Sequence, residues 1–208
     1  MRWPVAASTE LTGAFVRLVR VDPVAHAAGL FAALDAPEVW THFGAPRPTD
    51  TEQVLGGLSY LDDQPDRQLW IVLAATAIGS LPAGAVLGMS SYFDVSEHNA
   101  RLEIGATAYN PVVWSTAVNP ETKLLLLRHA FETLNCARVQ FRTDSRNERS
   151  RRAILGIGAT FEGILHRYER RVDGTLRDTA IYSVTAQQWR AVEQHLLSRT
   201  GAFSSARQ

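Results

Sequence analysis

The 208-residue sequence predicts an α+β fold, a mixed and mostly antiparallel sheet packed by helices and containing one parallel crossover. Three observations carry that reading. Between Gln68 and Tyr109, three apolar strands follow one another across short polar or glycine-containing turns, the pattern of a meander. One long apolar helix separates the strand Arg101–Tyr109 from the alternating strand Arg138–Asp144, which provides the crossover. Near the end, Thr160–Arg171 and Thr175–Val184 flank Asp173-Gly174, a two-residue hairpin signal.

The elements follow in order. Residues 1–13 read as a loose lead-in, and Ala14–Val21 as a first strand. Asp22-Pro23 starts a helix through about Leu34, with Leu30, Phe31 and Leu34 on its apolar face. Ala36-Pro37 breaks it, and Val39–Phe43 leads into a Pro/Gly-rich loop at 44–48. Thr49–Glu52 has the form of a capped start for a second helix, with Val54, Leu55, Leu58 and Leu61 inward. The meander is Gln68–Ala74, Ala85–Phe93 and Arg101–Tyr109, with Asp94–Ala100 as a polar turn. After the central helix and strand, a short helix runs from about Asn147 to Leu155, and Gly156–Gly158 turns into the final hairpin. Thr185–Leu197 closes the chain as an amphipathic helix, and the tail after Arg199 reads as disordered. The result is a single domain over 1–208, with a core at about 14–190 and flexible ends at 1–10 and 200–208.

Composition narrows the class. Hydrophobic content of 46% with 20% charged residues is ordinary for a globular chain, and zero formal charge gives no general pull toward nucleic acid or membrane. Of 21 Lys+Arg residues only Lys123 is a lysine, which reads as a coding bias toward arginine. The single cysteine, Cys136, excludes an internal disulfide framework and fits a reducing compartment. The start Met1-Arg2-Trp3-Pro4 has no secretory apolar core, and no apolar run approaches the roughly 20 residues of a membrane span. The expected location is cytoplasmic. The six histidines show no metal-ligand spacing, so no metal site is expected. Gly156-Ile157-Gly158 lacks the third glycine of a dinucleotide fingerprint and precedes a strand.

The chemistry concentrates between Val113 and Arg152. Asn119 reads as the N-cap of the central helix, Pro120 suits its first turn, and Glu121 sits near the positive end of its dipole. Leu124, Leu127, Phe131 and Leu134 share one face, widened by Leu125, Leu126 and Ala130, so the helix packs against a sheet. The N–H groups at its start have no partner within the helix, which makes that end a candidate anion seat. Downstream, Asn147–Arg152 opens a strongly basic helix.

These residues carry a resemblance to a known family. Arg101-Leu102-Glu103-Ile104-Gly105, Asn110-Pro111 with Trp114, Asn119–Lys123 leading into Leu124–Phe131, Thr143–Arg152, and Phe161–Leu165 occur in the order typical of it. Over roughly residues 14 to 190 the chain resembles the GCN5-related N-acetyltransferase (GNAT) superfamily, and within it the ribosomal-protein N-acetyltransferase-like branch. The resemblance implies the GNAT fold: about seven strands, with Arg101–Tyr109 and Arg138–Thr143 splayed apart so that the pantetheine of coenzyme A pairs with the freed strand edge. It implies transfer of an acetyl group from acetyl-CoA to a primary amine, a peptide N-terminus or a small molecule, by direct attack in a ternary complex. A homodimer is common among similar proteins.

The resemblance also assigns roles. Ser115, Thr116, Ala117, Val118 and Asn119 form the turn that cradles the pyrophosphate on main-chain N–H groups. Serine and alanine replace glycines usual there, so a left-handed backbone in this turn costs about 1 kcal/mol or more. Without the resemblance the same turn reads as a plain helix cap. Glu103 takes the place of a base acting on the acceptor amine, and the other reading is an exposed charge paired with Arg101. Asn147 and Ser150 take places that contact the pantetheine arm, with Ser150 able to protonate the departing thiolate; otherwise Asn147 is only a cap and Ser150 incidental. Many relatives carry a tyrosine acid one turn on, where this chain has Ile154. Arg146, Arg149, Arg151 and Arg152 form a cationic patch able to hold the coenzyme phosphates, with Arg149 and Arg152 as the binding candidates, or else a solvated helix face. The acceptor pocket falls to the Val39–Asp50 loop and the last hairpin, with Trp40, His42, Phe43 and Tyr109 as lining and Trp70 as core. A reading from a different class is a non-catalytic module on this fold that binds acyl-CoA or a partner.

Overall fold

Eight strands lie in one sheet in the order β1-β2-β3-β4-β5-β6-β8-β7 in the computed structural model, which describes residues 1–205. The strands are β1 Glu10–Thr12, β2 Val16–Arg20, β3 Gln68–Ala74, β4 Val86–Ser96, β5 Arg101–Tyr109, β6 Arg138–Asp144, β7 Thr160–Arg170 and β8 Leu176–Thr185. The helices are α1 Pro23–Leu34, α2 Pro37–Trp40, α3 Thr51–Asp62, α4 Val118–Arg128, α5 Glu148–Ile157 and α6 Trp189–Ser205. All neighbours pair antiparallel except β5 with β6. That makes eight strands where about seven were expected; the short β1 lies in the stretch read as loose.

The lead-in is tied down. Val5 is buried, the Arg2 amide donates to the Leu134 carbonyl, and Trp3 Nε1 donates to the Pro65 carbonyl. The far end also differs from expectation, since α6 continues as helix past Arg199 to Ser205. Residues 206–208 of the tail lie outside the described residues.

The sheet divides two apolar layers. On one face α4 and α6 bury Leu124, Leu126, Leu127, Val192 and Leu196 against Leu18, Trp70, Tyr92, Ile104 and Phe141. On the other, α1 and α3 bury Leu30, Leu34, Val54 and Leu58 against Leu69, Ile71 and Met89. Every residue of β3 is buried, as its unbroken apolar run requires for a strand covered on both sides. The side chains of Asp22 and Asp50 cap α1 and α3 by accepting from the amides of Ala25 and Gln53.

Three boundaries depart from the sequence reading. Helix α4 begins at Val118, so Asn119 is inside the first turn rather than the N-cap. Thr116 Oγ1 accepts from the Val118 amide, and Pro120 falls where an N–H would be unpaired in any case. Helix α5 runs through Gly156 to Ile157 and stops at Gly158, whose φ of 99° is the left-handed cap that glycine adopts without strain. In the last hairpin the Gly174 amide returns to the Arg171 carbonyl and the Arg171 amide pairs with Thr175. Val172, Asp173 and Gly174 therefore make a three-residue connection ending in a left-handed glycine, not a two-residue turn.

The feature that builds the cleft is the short pairing of β5 with β6. It covers only Arg101↔Arg138, Leu102↔Val139 and Glu103↔Gln140, after which the strands part. Just beyond, a bulge sets Ala106 and Thr107 of β5 against Ser90 of β4, with Ala106 at a φ of 45°. A bulge sharpens the bend of its strand and re-aims its side chains.

Candidate active site

A cleft of about 820 Å³ opens where β5 leaves β6. Of the residues singled out in the sequence, Glu103, Ser115, Thr116, Asn119, Asn147, Arg149, Ser150 and Arg152 line it. Ala117 and Val118 do not; both are buried in the core at the start of α4. Phe43, His42 and Tyr109 line it as well, whereas Trp70 is fully buried core. Trp40 backs Phe43 with an edge-to-face contact at 5.0 Å.

The turn before α4 presents donors. Among the described residues, the amides of Ser115, Thr116, Ala117 and Asn119 have no acceptor. Ser115 has a φ of 62°, the left-handed conformation for which a glycine would be the unstrained choice. Across the cleft, the Arg149 guanidinium stacks on Trp114 with 3.5 Å between its carbon and the ring centroid. Arg152 is exposed and pairs with Glu148, Arg151 turns inward onto Tyr182 Oη and the Ser145 carbonyl, and Arg146 is exposed away from the cleft. Only two of the four arginines thus face the cleft. A fixed row of amides at a helix start, with guanidinium groups opposite, suits the pyrophosphate of a nucleotide carrier.

Glu103 is only 2% exposed and is not paired with Arg101, which bonds Asp94 instead. Gln140 Nε2 donates to its Oε2 at 3.2 Å, and Arg142 Nε donates to the same oxygen. Oε1 has no donor among the described residues. Burial pushes this carboxyl up to about 7, against the downward pull of Arg142 and Gln140. A carboxylate that titrates near neutrality and keeps a free oxygen in a cleft can accept a proton there.

Asn147 caps α5, its Oδ1 accepting from the Ser150 amide at 3.0 Å. Ser150 Oγ has no protein partner among the described residues, and Ile154 sits in the cleft wall beyond it.

Several residues in the cleft or bonded to Glu103 were not singled out in the sequence. Arg142 and Gln140 come from β6, and no spacing shows that this strand faces Glu103. Lys123 is a further one. It is buried at the cleft floor, and its Nζ donates to Ser90 Oγ at 3.1 Å and Thr107 Oγ1 at 2.7 Å, with no ion pair among the described residues. Burial lowers its ammonium to about 7. The signal was present: the sole lysine among twenty arginines marks a place where a compact amine able to lose its proton is used.

Comparison with known proteins places the molecule. The fold is that of an acyltransferase. The sequence model of the acetyltransferase (GNAT) domain matches residues 16–160, and the chain belongs to that family. A protein from T. thermophilus described as an acetyltransferase is 35% identical, the match covering 95% of this chain and 99% of that one at a TM-score of 0.83. A GCN5-related N-acetyltransferase from Brucella melitensis superposes at a TM-score of 0.86 with 24% identity, over 95% of this chain and 87% of that one. A spermidine N-acetyltransferase from Vibrio cholerae, solved with CoA and spermine, shares the fold at 10% identity and a TM-score of 0.68, over 86% of this chain and 99% of that one. No curated protein sequence matches the chain significantly. Among the described residues no helix is long and apolar enough to cross a membrane.

Proposed function

We propose that this enzyme transfers an acetyl group from acetyl-CoA to a primary amine by direct attack within a ternary complex. One observation supports this above the rest. A single cleft contains both Ser115, Thr116 and Asn119, whose amides have no acceptor among the described residues, and the free Oε1 of a carboxyl poised near neutrality. The amides and Arg149 hold the carrier's phosphates, and the β5 edge released beyond Glu103 pairs with its pantetheine arm. Glu103 takes a proton from the acceptor ammonium. The amine nitrogen then bonds to the thioester carbonyl carbon, the C–S bond breaks, and the sulfur leaves as thiolate; Ser150 Oγ is the hydroxyl assigned to protonate it, and the second N–H proton, shed as the amide forms, restores that hydroxyl. Holding amine and thioester together supplies much of the rate.

The competing reading, a binding module without turnover, draws on Ile154 standing where a tyrosine acid is usual. Thermal denaturation with acetyl-CoA, run beside thiol release on a panel of peptides and small amines, decides between them. Stabilisation with thiol release supports the enzyme; stabilisation alone leaves an acyl-CoA binder; the absence of both favours a partner-binding scaffold.

A further inference from the structure

We propose that the acceptor is a primary amine that also carries an anionic group, and that Arg67 receives that group; this rests on the acetyltransferase reading above. Arg67 ends the turn before β3, its amide bonding the Gln64 carbonyl, and its half-buried guanidinium lies over the Phe93 ring at 4.8 Å. Phe93 is the cross-strand partner of Glu103, so the two side chains share the acceptor side of β4 and β5. Gly105 makes room for them, since a Cβ there would lie 2.8 Å from Phe93 Cε1 and 3.3 Å from Glu103 Oε1. Arg67 and the candidate base therefore flank one aromatic ring in the cleft wall.

Charge at this end does not balance. Arg142 pairs with Glu103 and, at 3.4 Å, with Glu169; Arg177 pairs with Glu169 at 2.9 Å. Two carboxylates thus serve two guanidinium groups, and Arg67 is a third with no ion pair or side-chain hydrogen bond among the described residues. Asp66, Glu103 and Tyr60 act on it only at a distance, and burial lowers its pKa, the mark of a cation short of solvation. A half-buried guanidinium with idle N–H donors is stabilised by an incoming anion. A polyamine would instead bring a second positive charge toward Arg67 and Arg142. Carboxylate and phosphate both satisfy a guanidinium fork, so the shared chemistry is an anion a short reach from the amine.

Steady-state thiol release with acetyl-CoA tests this. The acceptors are alanine and alanyl-glycine with their neutral amides, O-phosphoethanolamine, and spermidine. The expected result is a kcat/KM roughly 10- to 100-fold higher for the anionic amines than for the amides or spermidine. Carboxylate against phosphate acceptors then shows which anion fits. Arg67→Met brings anionic and amidated acceptors to similar kcat/KM by raising KM for the anionic ones, and Arg67→Lys restores part of the difference. Equal rates for acid and amide in the unaltered enzyme, a preference for spermidine, or a preference that survives Arg67→Met each overturn the proposal while leaving the acetyltransferase intact. Absence of thiol release with every amine removes the activity, and this assignment with it.

Discussion

As the proposed base, Glu103 keeps one oxygen open because its two bonds from β6 fall on the other. Arg142 and Gln140 fix the carboxyl in place, and burial raises its affinity for a proton. The base form is therefore lost as pH falls through about 7, so kcat/KM rises with pH along a limb centred there. Glu103→Gln keeps the shape, and is expected to lower turnover about 10²–10⁴-fold while acetyl-CoA affinity stays nearly constant. Unchanged turnover removes Glu103 from the mechanism. Lys123 carries a prediction of opposite kind. Its folded-state pKa is depressed to about 7, so the ammonium costs stability fully below that pH, and the cost is relieved as pH rises toward the ordinary lysine range. Lys123→Met leaves Ser90 Oγ and Thr107 Oγ1, already 2.8 Å apart, to bond each other. The substitution should therefore stabilise the fold more at pH 6 than at pH 9.5, by about 2–3 kcal/mol in urea titrations. A gain that does not change with pH would mean that the buried amine keeps an ordinary pKa.

At the scale of elements, α4 is both the core's main helix and the site's foundation. The apolar face of α4 and of the π-helical turn His129–Thr133 that continues it was legible because Leu124, Leu127, Phe131 and Leu134 repeat at helical spacing, and all four are buried. Glu121 was not legible. Sequence position suggests a favourable dipole charge, but the carboxylate is buried and accepts the amides of Ala14, Phe15 and Val16 at 2.8, 2.6 and 2.8 Å. Partners more than a hundred residues away leave no local pattern, and neither does Arg142, 39 residues from Glu103. Glu121→Ala strips three amides of this acceptor and is expected to cost about 3–5 kcal/mol by urea denaturation. Helix α5 poses a narrower question, because Asn147 caps it whether or not its amide also meets the coenzyme. Asn147→Ala should cost about 1 kcal/mol, and Asn147→Ser should recover most of that. If Asn147→Ser also recovers acetyl-CoA affinity in calorimetry, the residue acts as a cap alone; if affinity stays low, its side chain contacts the carrier.

For the whole molecule, strand order and the single parallel crossover follow from one apolar helix lying between two strands. The splay itself has no local signature, since it depends on β8 claiming the other edge of β6 along its whole length while β5 holds only three residues of the near edge. The cleft is thus a consequence of how two halves of one sheet meet, and a ligand seated there touches both. Binding to the folded state alone should raise stability by about 2.7 kcal/mol at a hundredfold excess over Kd. For a chain of this size that is roughly 5–10 °C in melting temperature. Salt separates the two kinds of phosphate contact proposed. Main-chain amides at the start of α4 are fixed and partly sheltered, whereas Arg152 is exposed and screened within about 10 Å at 0.1 M ionic strength. Arg152→Ala should lower affinity at low salt and make little difference at high salt, with most of the melting shift surviving both. A shift that collapses at high salt in the unaltered protein would place the grip on the arginines rather than on the amides of Ser115–Asn119.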